Sequence, residues 1–328
     1  MGNKLNIAIL GGGNSSEKEI SLKGVKQIAQ WLNKERYNAF PIIVEGTHLT
    51  LKHPNLGDIP VSWDSFTAKA GDETIAFHCA IIGIHGRPGE TGHLQGYLEM
   101  MGIPYTTGGV MSTALTFDKE ATKQMIRDLD INICKMVRVT KGQHVDTQEV
   151  VKYLGLPVFV KPNESGSSYG ITKVKQIDGI LPALQLAYTE SLEALIEEFI
   201  PGRELTRGLV TTRGKSIICP VTEVIPKNEY FDYGAKYKNE SDEVTPAHIS
   251  DRLSDRIQNI SSEIYDRLKC RGIVRIDYIL NNDKLYFLEV NTVPGMSEAS
   301  IIPQQAAAMG LNMTDIFSLV IEDAIQRG

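Results

Sequence analysis

The strongest constraint on this chain is a pair of alternating segments late in the sequence. They are Ile273-Val274-Arg275-Ile276-Asp277-Tyr278-Ile279 and Leu285-Tyr286-Phe287-Leu288-Glu289-Val290-Asn291, separated by Asn281-Asn282-Asp283. Alternation on both sides of a turn predicts two antiparallel strands. Arg275 and Asp277 then share one face of the first strand, and Glu289 and Asn291 share one face of the second. If both pairs fall on the same side, two carboxylates, an amide oxygen and a guanidinium converge. Hard oxygen donors of this kind suit Mg²⁺, which keeps part of its water shell and binds substrate phosphates. The plainer alternative is a solvated edge hairpin in which Arg275 simply pairs with Asp277. Ile273, Ile279, Leu285 and Phe287, read as lying on the same faces, argue against a solvated one. Convergence also restricts register. Opposed residue numbers must sum to an even number, as in 275 with 289 and 277 with 287. That requires the three-residue loop 281–283 unless a bulge intervenes.

With 328 residues, the chain is long enough for two or three packed units. Apolar residues at 42% and charged residues at 23% describe an ordinary globular protein with enough apolar surface to order itself. A net charge of -6 argues against a nucleic-acid-binding surface. No apolar run approaches the ~18 residues of a membrane helix, so no membrane association is expected. Met1 to Asn6 lacks a signal-peptide core, and Asn6 stands where a myristoylation site needs Ser or Thr. Cys79, Cys134, Cys219 and Cys270 are scattered and form no CxxC, as expected of reduced core thiols in the cytosol.

Leu5 to Leu10 reads as a strand ending in Gly11-Gly12-Gly13. A helix follows with Leu22, Val25, Ile28, Ala29 and Leu32 on one face, and Ser15 or Ser16 is the expected cap. Further strands are predicted at 39–44 and 80–84, with a helix near 94–101. Residues 46–72 carry no readable pattern. Strand, glycine loop and helix in alternation predict an open parallel α/β sheet for the first third. The middle third reads as α+β with a mostly antiparallel sheet. Its helices are expected at 118–129, 147–154 and 179–188, and its strands at 136–139, 158–161, 170–174 and 194–199. Pro201-Gly202 resembles a hinge. A hairpin around 213–215, an unpatterned aromatic stretch at 227–246 and a helix at 251–269 precede the alternating pair. Helices from about 300 and 314 close the chain.

Several familiar motifs fail. Gly11-x-Gly13-x-x-Ser16 lacks the last residue of a dinucleotide fingerprint. Lys215 lies in Gly-Lys-Ser, but Leu209 breaks the P-loop spacing. HExxH is absent, and Gly166-Ser167-Ser168-Tyr169-Gly170, although it spells GxSxG, leads into a predicted strand and not a helix, so it is no nucleophile elbow. Three other stretches carry chemistry. Lys161-Pro162-Asn163-Glu164-Ser165-Gly166-Ser167-Ser168-Tyr169-Gly170 puts an ammonium and a Gly/Ser loop where phosphate oxygens bind, or is an ordinary turn. Phe231 to Tyr237 is a segment suited to closing over substrate, or a loop pinned by its aromatics. Glu17 follows the glycine turn, while His85 and Glu90 end another strand. Open α/β sheets bind ligands at such strand ends, although a helix-start carboxylate and a core histidine are the plainer readings.

Taken in order, Gly11 to Ser21, His85 to Glu99, Phe117-Asp118-Lys119, Lys161 to Gly170, Phe231 to Tyr237, Arg275-Ile276-Asp277 and Glu289 to Met296 resemble the D-alanine–D-alanine ligases of the ATP-grasp superfamily over essentially the whole chain. The resemblance implies an ATP-grasp fold. Its parts would be an N-terminal open parallel α/β domain (1–107) for substrate, a central small α+β domain (108–201) and a C-terminal α+β domain (202–328) carrying a lid loop at 227–246. It implies ligation of two D-alanines through an acyl phosphate, with ATP and two Mg²⁺ ions (or Mn²⁺) as cofactors. Another ATP-grasp carboxylate-amine ligase, or a catalytically silent nucleotide-binding protein, is the alternative.

By this resemblance Lys119 and Lys161 contact the ATP phosphates with Ser167 and Ser168. Glu197, Glu198, Phe199 and Ile200 line the adenine, and Glu204 reaches the ribose. Asp277, Glu289 and Asn291 are the metal ligands. Glu17 binds the first D-alanine ammonium, with His85 nearby. Arg275 and the Gly295 N–H stabilise the oxyanion, and Ser300 takes the second carboxylate. Ser167 and Tyr237 link to Glu17, with Lys236 beside them. Phe231, Gly234 and Asn163-Glu164-Ser165 depart from the commoner family residues, whereas Tyr237 is the residue of dipeptide-forming members. A cytoplasmic homodimer using small-molecule substrates is implied.

Overall fold

The structure, a computed structural model, describes residues 4–226 and 241–328. Its first sheet is built around strand β1 (Leu5–Gly12), in which Ile7, Ala8, Ile9 and Leu10 are fully buried. Helix α1 (Lys18–Trp31) packs on it through Ser21, Gly24, Val25 and Ile28. The glycine run is a packing requirement. A Cβ on Gly11 would meet Val25 Cγ2 at 2.3 Å, and Gly12 and Gly13 hold φ of 94° and 95° in the turn toward the helix. The expected serine cap is not used. Glu17 stands at the N-cap without a side-chain cap bond, Ser15 donates to the His85 carbonyl at 2.8 Å, and Ser16 donates to Glu190.

Strands β2 (Tyr37–Glu45), β3 (His48–His53), β4 (Gly57–Pro60), β5 (Thr67–Ala70), β6 (Glu73–Ala76) and β7 (Cys79–Ile82) complete this part. The sheet order is β4-β3-β2-β1-β7, and β5-β6 forms a separate hairpin. Only β1, β2 and β7 are parallel. The expectation of a wholly parallel sheet fails because a tight turn at Gly46-Thr47 returns the chain as an antiparallel β3, and β4 follows in the same sense.

Next come helices α2 (His93–Met100), α3 (Val110–Phe117) and α4 (Lys119–Met125). The helix expected from Asp118 to Leu129 stops at Met125, and α3 precedes it. Asp118 divides the two, its side chain accepting from the Ala121 N–H at 2.8 Å. Strands β8 (Met136–Thr140), β9 (Val158–Pro162), β10 (Thr172–Val174) and β11 (Glu193–Glu198) form an antiparallel sheet in the order β10-β9-β11-β8. Helices α5 (Thr147–Leu154) and α6 (Ile180–Ala187) cover it through Val150, Leu154, Ile180 and Leu184.

The third sheet contains β12 (Arg203–Thr211), β13 (Ser216–Pro226), β14 (Ser241–Val244), β15 (Gly272–Asn281) and β16 (Lys284–Asn291) in the order β14-β13-β12-β15-β16. Helix α7 (Asp251–Arg267) covers one face, placing Ile257, Ile260 and Ile264 against Leu205, Val274, Ile276 and Tyr278. Helices α8 (Ile301–Ala308) and α9 (Met313–Arg327) follow. Ile316, Phe317, Val320 and Ile321 of α9 share a core with Ile7, Ile9, Val25 and Ile28 of the first sheet. All four cysteines are free and buried. No helix among the described residues is long and apolar enough to cross a membrane.

The β15–β16 hairpin corrects the expected loop. Asn281 pairs with Lys284 across a two-residue turn, not the three-residue loop 281–283. A bulge then shifts the register, so that Tyr278 opposes Phe287 but Asp277 opposes Glu289 and Arg275 opposes Asn291. Leu288 is the extra residue. Before it, Leu285 and Phe287 face the core under α7. After it, Glu289 and Asn291 face the opposite side with Asp277. The carboxylates therefore converge by the bulge, and the apolar neighbours Leu285 and Phe287 lie on the other face.

Candidate active site

The three sheets enclose a cleft of about 1040 Å³. Its lining contains Glu17, His85, Lys161, Ser167, Ser168, Glu197, Glu198, Phe199, Ile200, Glu204, Arg275, Asp277, Glu289, Asn291, Gly295 and Ser300. Lys119 stands just behind this wall, 8% exposed. Lys236 and Tyr237, with the rest of the expected segment from Phe231, lie outside the described residues.

Asp277 is tightly held. Arg275 forks onto it with Nε 2.8 Å from Oδ1 and Nη2 2.7 Å from Oδ2. Asn291 Nδ2 donates to Oδ2 at 3.0 Å, and the Thr206 hydroxyl donates to Oδ1. The plain pairing of Arg275 with Asp277 is thus real, but both residues are buried in a cleft wall, not spread on a solvated face. Thr206 reaches Asp277 because the two oppose each other between β12 and β15. That register cannot be read from the alternation of one strand, and sequence reasoning missed the residue. Among the described residues, no three His, Cys, Asp or Glu side chains gather to hold a metal unaided. Two carboxylates with an amide oxygen fit Mg²⁺, which takes one or two carboxylates and completes its shell with water and phosphate oxygens.

The loop after β9 is fastened to the first sheet. Ser167 Oγ donates to Glu17 Oε1, and Arg87 pairs with Glu164. Gly166 sits so close that a Cβ there would lie 2.6 Å from Glu17 Oε2. Ser167 and Ser168 both adopt left-handed conformations, with φ of 49° and 60°. They are the central residues of a turn closed by the Tyr169 N–H donating to the Gly166 carbonyl at 3.2 Å, and successive N–H groups of such a turn make a concavity suited to an anion. Lys119 Nζ donates to the Ser165 carbonyl and lies 3.9 Å from Glu289 Oε2. Burial, reinforced by neighbouring Lys161, lowers its pKa.

Beneath this loop Glu197 joins two ammonium groups, Lys161 at 2.8 Å and Lys123 on its other oxygen. Burial pushes the Glu197 carboxyl up, but the two lysines outweigh it and hold it at about 2. Lys123 was not singled out from the sequence. Its signal is the spacing of four from Lys119, which puts both on one face of α4. Beyond Glu197, Phe199 packs beside Phe159 with ring centroids 5.8 Å apart, and Lys173 Nζ lies 3.9 Å over the Phe199 ring.

After the first sheet's last strand, Glu90 accepts the Gly86 N–H at 2.8 Å. Burial and the negative charge of Glu17 push its carboxyl up to about 8. Across the cleft, Ser300 is the N-cap of α8 and its hydroxyl bonds Ser297 at 2.9 Å. Gly295 lies close by, and a Cβ there would be 3.0 Å from Ser300 Oγ.

Two family models match the chain, described as D-ala D-ala ligase N-terminus over residues 6–108 and D-ala D-ala ligase C-terminus over residues 125–322. The D-alanine–D-alanine ligase of Bacteroides fragilis is 44% identical over 321 residues, covering 98% of this chain and 99% of the relative. That of Parabacteroides distasonis is 43% identical, covering 98% of each. Among solved structures, D-alanyl-alanine synthetase A from Vibrio cholerae superposes with a TM-score of 0.87 at 28% identity over 99% of both chains. The Bacillus anthracis D-alanine–D-alanine ligase complexed with ATP gives 0.78 at 26% over 98% of both.

Proposed function

The chain belongs to the D-alanine–D-alanine ligase family, and we propose that it joins two D-alanines using ATP. The γ-phosphoryl group passes to the carboxylate of the first D-alanine. The amine of the second attacks that acyl phosphate, and phosphate leaves with the dipeptide D-alanyl-D-alanine, a precursor of cell-wall peptidoglycan. The observation that carries this reading is one cleft bordered by three things: the opposed Asp277 and Glu289, the Lys161 and Ser167-Ser168 turn, and buried Glu17.

Lys119, Lys161 and the Ser167-Ser168 N–H groups bind the phosphates, whose negative charge they complement. Glu197 to Ile200 form the adenine wall, and Glu204 reaches the ribose. Asp277, Glu289 and Asn291 would hold the two Mg²⁺ ions. Bound Mg²⁺ neutralises charge on the transferring phosphoryl group. Arg275, already fixed by its fork to Asp277, and the Gly295 N–H stabilise the oxyanion that forms at the attacked carbonyl. Glu17 takes the ammonium of the first D-alanine, with His85 beside it. The α8 N-terminus at Ser300 takes the second carboxylate. Lys236 and Tyr237, outside the described residues, complete the Glu17–Ser167 network by family likeness. The same likeness supports a cytoplasmic homodimer and a division into units at 1–107, 108–201 and 202–328.

The test is incubation with ATP, Mg²⁺ and a panel of D- and L-amino acids, following phosphate release and product identity together. The reading requires phosphate release that depends on D-alanine and yields the dipeptide. Release without a D-amino acid, or a product from another substrate in preference, overturns it.

A further inference from the structure

Lys123 lies behind the nucleotide cleft, not on its wall, 1% exposed and one helical turn after Lys119. Its ammonium donates to Glu197 Oε1 and, at 3.3 Å, to Cys134 Sγ. Glu197 offers its second oxygen to Lys161 at 2.8 Å, from the neighbouring strand. All three charged side chains are buried. Two ammonium groups on one carboxylate leave a unit of positive charge in the interior. Uncompensated buried charge is costly, so an arrangement of this kind calls for an anion. Of the two lysines, Lys161 is the one that lines the cleft, as Glu197 does.

We propose that Lys123 is a positioning residue for the nucleotide phosphates, because by neutralising Glu197 it leaves the charge of Lys161 free to act on them. The inference rests on the reading of this cleft as the ATP site. Without Lys123, Glu197 and Lys161 form a neutral pair. Lys161 is then held back from the phosphates by its own partner. Glu198, Phe199, Ile200 and Glu204 on the nucleoside side are untouched, and whatever Glu197 itself contributes to the adenine wall is common to ADP and adenosine, so it cancels in the ratio of their affinities.

This separates phosphate binding from nucleoside binding. The affinities of ADP and adenosine are measured by calorimetry for wild type, Lys123→Met and Lys123→Met/Glu197→Gln. Lys123→Met should weaken ADP by about tenfold or more, equivalent to about 1.4 kcal/mol, and leave adenosine unchanged. The double variant removes the carboxylate that captures Lys161. It should therefore restore the ADP-to-adenosine ratio to within about threefold of wild type although Lys123 is absent. In steady-state assays the KM for ATP should rise more than kcat falls in the single variant. A structural role alone would lower thermal stability and weaken both ligands alike, and the double variant would not recover. An unchanged ratio in Lys123→Met, or a double variant no better than the single, overturns the role given to Lys123. A wild-type protein that binds neither ligand overturns the nucleotide reading itself.

Discussion

Glu289 faces the cleft with its side chain 27% exposed and the Lys119 ammonium 3.9 Å away. It gives the metal reading its sharpest single-residue test. Glu289→Gln keeps the volume and removes the charge. Since altering even an outer partner of a metal ligand costs about 10–100-fold, loss of this ligand charge should lower Mg²⁺-dependent turnover by at least about a hundredfold. The circular dichroism spectrum and melting temperature should stay close to wild type. A folded variant with full turnover would remove Glu289 from the metal site. At this scale much was legible, because the candidate residues sit in motifs whose order is specific. What the sequence concealed were the residues that act on those residues. Lys123 and Thr206 reach their partners through contacts between distant segments.

Elements decide where such side chains point. The β15–β16 hairpin was readable as two strands, but its register was not. Alternation alone assigned Leu285, Phe287 and Glu289 to one face. The bulge at Leu288 breaks that parity and sends the first two to the core and the third to the cleft. The β3 to β6 strands were invisible for a different reason. They are short, and polar positions outnumber the buried apolar ones that mark a period. Strand pairing also supplies a test. Thr206 on β12 opposes Asp277 on β15 and donates to it. Thr206→Val preserves shape and strand propensity while removing the donor. Mg²⁺ affinity, measured by titration in the presence of ADP, should weaken by about 10–100-fold. Unchanged Mg²⁺ affinity would mean that Arg275 and Asn291 suffice to orient Asp277.

At the scale of the whole molecule, the cleft lies where three sheets meet, and the joins are chemical as well as apolar. Helix α9 closes a core with the first sheet that no local period announces, because the partners lie some three hundred positions apart in sequence. Glu90 borders that cleft beside the first sheet, where its carboxylate accepts the Gly86 N–H. Burial and Glu17 raise its carboxyl to about 8, against the opposing pull of Lys119 and the Gly86 N–H. The folded protein therefore binds this proton more tightly than the unfolded chain does. In the window from the ordinary carboxylate pKa of 4.5 up to about 8, stability should fall as pH rises. Glu90→Gln keeps the neutral form at every pH. Urea unfolding without nucleotide should show wild type losing a few kcal/mol relative to the variant between about pH 5 and about pH 8. Parallel pH profiles for the two proteins would contradict the assignment.

The central claim is that one cleft both activates a D-alanine carboxylate by phosphoryl transfer and directs a second amine onto it. It is tested most directly with D-alanine carrying heavy oxygen in its carboxylate. Product dipeptide and released phosphate are analysed together by mass spectrometry after turnover with ATP and Mg²⁺. The account predicts one labelled oxygen in the phosphate for each dipeptide formed, because the carboxylate oxygen that accepts the γ-phosphoryl group leaves with it. Dipeptide accompanied by unlabelled phosphate would contradict it.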